Sequence, residues 1–113
     1  MPKLIFSNEK IGYGATIELD NGDVCMISVA QSGVLVRSYR KGFWSSMIGS
    51  FFGPVLYRES NVYRATETAM ALASSNRPVA NLTFQNPVLT AFAQTVWQCS
   101  SAVDVAIKLN ETL

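Results

Sequence analysis

Apolar and polar residues repeat with two different periods along this chain, and the change of period divides it. From residue 15 to residue 40 the spacing is two. Ile17 and Leu19 alternate with Thr16 and Glu18, Val34 and Val36 alternate with Leu35, Arg37 and Tyr39, and the run from Val24 to Ala30 is apolar on both sides. A period of two predicts strands, and the doubly apolar run predicts the central one, covered or nearly so on both faces. Between the first two runs lies Asp20-Asn21-Gly22-Asp23. Asn-Gly accepts the positive φ angles of a two-residue type I′ turn, and that turn sets Leu19 against Val24, Glu18 against Cys25 and Ile17 against Met26. Gln31-Ser32-Gly33 supplies the next turn, and Lys3 to Phe6 adds an edge strand joined through Gly12-Tyr13-Gly14.

After residue 60 the period becomes 3.6. Asn61 is a good cap, and the small apolar residues at 62, 65, 69, 72 and 73 predict a helix with a narrow, alanine-rich face. Asn86-Pro87 is the clearest helix start, because asparagine caps and proline suits the first helical position. Val88, Leu89, Phe92, Ala93, Val96 and Trp97 mark its apolar stripe. Ser101-Ala102-Val103-Asp104 resembles a capping box with aspartate in the last place, and it opens a helix expected to pack through Val103, Ala106, Ile107 and Leu109.

Strands followed by helices predict an α+β domain. Its parts are a small antiparallel meander of three to four strands in residues 1–41, an apolar segment in 42–57 and a helical part in 58–113, with three helices packed on one face of the sheet. The 113 residues suffice for one hydrophobic core and are too few for two.

The middle segment fits neither period. Residues 42–57 carry no charge, contain Phe43, Trp44, Ile48, Phe51, Phe52 and Tyr57, and are bordered by Arg40 and Lys41 before and Arg58 after. The segment is shorter than the roughly 20 residues that span a bilayer, and Gly53-Pro54 would break a helix. Its interspersed glycines and serines are loop composition, although such side chains can also belong to a core. The expectation is a contact surface made of Arg40, Lys41, Phe43, Trp44, Ile48, Phe51, Phe52, Tyr57 and Arg58. Its first partner would be a second copy of the chain or another protein; a membrane surface and single-stranded nucleic acid are weaker alternatives.

Composition narrows the chemistry. There is no histidine, which excludes Ser-His and Cys-His nucleophile pairs and any imidazole-dependent zinc site, and two cysteines cannot make a four-thiolate site. Cys25 and Cys99 read as free buried thiols. Gly12-Tyr13-Gly14 lacks the third glycine of a phosphate loop, and the twelfth position of a calcium loop begun at Asp20 is Gln31. Glu59, Glu67 and Tyr63 lie near Arg58 and Arg64, with Arg64 and Glu67 spaced as a helical ion pair. No cofactor is implied, and the reading is a binding or adaptor module, against a histidine-free enzyme or a small-molecule binder. Net charge is +1, with −2 in residues 1–36, +4 in 37–77 and −1 thereafter, so the middle is the basic part. The start, Met1-Pro2-Lys3-Leu4-Ile5-Phe6, has too short an apolar run for a signal peptide, and a cytoplasmic location is expected.

Overall fold

The two periods become two layers. The computed structural model describes residues 1–9, 14–42, 48, 52–75 and 80–111. Five strands form one antiparallel sheet in chain order: β1 (Lys3–Ser7), β2 (Ala15–Glu18), β3 (Asp23–Ala30), β4 (Gly33–Arg40) and β5 (Val55–Glu59). Three helices follow, α1 (Val62–Ser75), α2 (Pro87–Trp97) and α3 (Ala102–Glu111), with a 3-10 turn at Ala80–Leu82 after the first. The α+β class is the one the sequence predicts. The fifth strand is additional: Val55-Leu56-Tyr57 leaves the apolar segment and joins the sheet, because Gly53-Pro54 ends what precedes it and the residues after it suit a pleated surface.

The first hairpin departs from the expected register by one residue. Ile17 pairs with Cys25, Ala15 with Ile27, Thr16 with Met26 and Glu18 with Val24. Leu19 O accepts from Gly22 N at 3.0 Å, Leu19 N donates to Asp23 O at 2.8 Å, and Gly22 has φ +88° while no other type of residue has positive φ among the described residues. This is a type I turn closed by a glycine bulge, not a type I′ turn. The core explains the choice. In this register Ala15, Ile17, Cys25 and Ile27 all fall on one buried face; the alternative would have set Glu18 beside Cys25 there. β3 is central as expected, but its second face is only half covered: Val24 is buried, Met26 and Ser28 are half-buried and Ala30 is exposed.

Against the buried face pack the three helices. Ala65, Ala69 and Leu72 of α1, Leu89, Phe92 and Val96 of α2, and Val105 and Leu109 of α3 share one cluster with the strands. Asn61 Oδ1 accepts from Tyr63 N and Arg64 N at 2.9 and 3.3 Å, and Asn86 Oδ1 from Val88 N and Leu89 N at the same two distances. Both caps do what the sequence predicts of them. Arg64, however, turns back to Glu59, Nε to Oε2 at 3.6 Å, rather than forward to Glu67.

α3 buries Leu109 as expected but turns two of the other expected residues away from the core. Val105 and Leu109 are buried, whereas Val103 and Ile107 are exposed. Two residues along a helix is about 200° of rotation, so the two pairs face apart. The orientation is set at the first turn, where Ala102 N donates to Asp23 Oδ2 at 3.2 Å and Ser101 Oγ accepts from Asp104 N at 3.2 Å. Asp23 is thus a hub: its carboxylate also accepts from Asn21 Nδ2 at 2.7 Å and meets Arg40 Nε at 3.1 Å. Replacing it with alanine removes the ion pair and unties the hairpin from the helix at once. Asp23→Ala is expected to lower unfolding stability by about 1–3 kcal/mol in a urea titration, and an unchanged midpoint would show the hub to be dispensable.

Candidate functional site

The candidate surface begins at the end of β4, where two cations are already engaged. Arg40 pairs with Asp23, and its Nη1 donates to Asn21 O at 3.2 Å. Lys41 Nζ reaches Glu18 Oε1 at 3.4 Å. Both cations are exposed, so each pair contributes about 1 kcal/mol and the cations remain exchangeable for a partner's anion.

The connection from β4 to β5 carries the apolar candidates. Of these, Phe43, Trp44 and Phe51 lie outside the described residues. Ile48 is 58% exposed and Phe52 82% exposed, and Val55 just after them is exposed too. An arginine that the sequence reading left out of the set ties down the far end: Arg37 Nη1 donates to Gly53 O at 2.9 Å, and Ser38 N donates to Pro54 O at 3.0 Å. The alternation of β4 was the signal for it, since Arg37 sits on the face away from the helices with Leu35 and Tyr39.

Two expected members do not join this surface. Tyr57 is only 2% exposed, because the pleat of β5 turns it to the core opposite Val36, where its ring lies 5.4 Å from that of Phe92. Arg58 is exposed, without an ion-pair partner among the described residues, but it stands opposite Leu35. Five residues of strand separate Leu35 from Arg40, about 17 Å at the usual rise. The guanidinium groups that border the segment in sequence are therefore drawn apart by the antiparallel return of β5.

Elsewhere the chemistry is already spent. Asp20 Oδ1 takes the Met1 ammonium at 2.8 Å. A recess of about 950 Å³ lies beside Ser7, Glu9, Gln85 and Asn86, but there Glu9 Oε2 accepts from Gln85 N at 2.8 Å and the Asn86 side chain caps α2. Both cysteines are free and buried. Burial, then the charges of Asp23 and Cys99, pushes the Cys25 thiol up to about 12; burial also raises Cys99, with Lys108 opposing. Neither is a ready nucleophile. Gly12 and Tyr13 lie outside the described residues. Among the described residues no helix is long and apolar enough to cross a membrane.

Searches of protein-family models, curated proteins and solved structures find no match to this chain.

Two consequences are measurable. The Tyr57 hydroxyl is buried without a hydrogen-bond partner among the described residues, so Tyr57→Phe is expected to leave the melting temperature unchanged or to raise stability by up to about 1 kcal/mol; a marked loss would reveal a partner for the hydroxyl. The neutral Cys25 thiol contributes stability that is complete below pH 9, the ordinary thiol value, and is lost as pH rises from there towards 12, by up to about 1.4 kcal/mol per pH unit. Denaturant midpoints of the wild type should fall more steeply above pH 9 than those of Cys25→Ala, and parallel curves would contradict this.

Proposed function

We propose that the protein is a non-enzymatic binding module whose contact surface is the connection between β4 and β5, and that its first partner is a second copy of itself. One topological observation carries this reading. β4 and β5 are neighbours in the sheet, and two residues suffice to turn one antiparallel strand into the next, as Gln31 and Ser32 do between β3 and β4. Residues 41–54 are spent where the fold needs two. Connections longer than their fold requires are where compact domains commonly carry contact sites.

The exposure of Ile48 and Phe52 supports the same reading, since large exposed apolar side chains four positions apart in a sequence with only 15% charged residues favour association. In a two-fold contact each copy contributes both. Burying the four side chains would supply about 6–10 kcal/mol, which offsets the lower range of the association cost. Arg40 and Lys41 lie at the entry to the connection and suit a polar rim.

The test is the mass in solution. Light scattering of Ile48→Ser/Phe52→Ser should give a weight-average mass no more than half that of the wild type at equal concentration, with an unchanged circular dichroism spectrum. Equal masses, or a wild type that stays monomeric at high concentration, would sink the reading.

A further inference from the structure

Two side chains tie α3 to the sheet, one at each end. Asp23 Oδ2 accepts from Ala102 N at 3.2 Å at its start, and Asn110 Nδ2 donates to Leu56 O of β5 at 2.9 Å near its finish. Between α2 and α3 the chain turns through residues 98–101, and that corner rests on the first hairpin, where Asn21 N donates to Ser100 O at 3.3 Å. The two cysteines stand beside these contacts. Cys99 precedes Ser100, and Cys25 follows Asp23 by two residues on β3, so its side chain leaves the same face of the sheet about 7 Å further along.

Both thiols belong to one buried cluster. After burial and the Asp23 carboxylate, the next cause that keeps the proton on Cys25 is a negative charge on Cys99, and a like charge has this effect only at short range. Access separates the two. Cys99 Sγ donates to Thr95 O at 3.3 Å, and the residue lines an open recess of about 370 Å³ with Ser100, Asp104 and Lys108, whereas Cys25 is sealed. Burial raises the Cys99 thiol and Lys108 works against it, so Cys99 is the one an oxidant meets first.

We propose that Cys25 and Cys99 are a dithiol pair that hydrogen peroxide converts into an intramolecular disulfide, fastening the α2–α3 corner to β3. The Cys99 sulfur attacks one peroxide oxygen, the O–O bond breaks, and the departing hydroxide takes the thiol proton as water, leaving a sulfenic acid. The Cys25 sulfur then attacks the Cys99 sulfur; the S–O bond breaks and hydroxide leaves with the Cys25 proton as a second water. Two thiols are oxidised by two electrons in all, and one peroxide is reduced to two waters. Burial makes the first step slow at neutral pH and shelters the finished bond from reductants, so the pair is a latch and not a rapid sensor. It needs no second copy and does not depend on the surface proposed above.

Peptide mapping after peroxide treatment tests it. The wild type should lose both free thiols, keep its single-chain size on a non-reducing gel and yield a proteolytic fragment that joins Cys25 to Cys99, all reversed by dithiothreitol. In Cys25→Ala the sulfenic acid on Cys99 has no second thiol to resolve it, so dimedone labelling should rise several-fold over the wild type. The bridged protein should also unfold at a higher urea concentration than the reduced one, because the bond joins residues 74 positions apart. A wild type that keeps its thiols or links chain to chain overturns the proposal, as does equal dimedone labelling of the two proteins. A lower urea midpoint for the bridged form overturns it too, since a bond that distorts the fold shows that the native geometry does not bring the thiols together.

Discussion

The pairing of Ile17 with Cys25 and of Ala15 with Ile27 is the constraint on which the sheet is built. Those four side chains make one buried face, and every strand outside the pair takes its alternation from them: Val36 and then Tyr57 follow Ile27 across the sheet, and Leu4 follows Ile17. The turn obeys the core. Asn21-Gly22 is capable of the tighter loop, but that loop would slide one strand by a residue and exchange its buried and exposed sides, a change worth several kcal/mol against the few tenths that separate turn types. Gly22 absorbs the difference with its positive φ.

The same ladder decides what the candidate surface can be. Because β5 returns alongside β4, the residues on either side of the connection are carried to different places, Arg40 beside the first hairpin and Arg58 towards the opposite end of β4. A polar rim on the connection is left to Arg40 and Lys41, both held by carboxylates of the first hairpin. Tyr57 becomes packing material for Phe92.

Local chemistry was legible in the sequence, and long-range geometry was not. Asn61 and Asn86-Pro87 announce helix starts because a cap acts within three residues, and the period of two in Val34–Arg40 names its buried side without further information. The register of the first hairpin was hidden because the turn and the core disagree, and only the assembled core shows which prevails. Val103 and Ile107 looked like packing residues; their exposure follows from Asp23, which sits 79 positions before Ala102 and holds the first turn of α3. Val55 to Glu59 was assigned to other parts since its composition continues the apolar run, and its membership of the sheet depends on β4 being free to receive it.

The amide of Asn110 on the backbone of β5 bears on more than the stability of one subunit. A sheet with two bare margins can add neighbours without end, and the result is a fibre. With one carbonyl of β5 already taken by a helix side chain, strand addition is hindered on that side and has a preferred direction. Whatever joins the other margin therefore meets a poorer template beyond it, and the fold works against its own polymerisation.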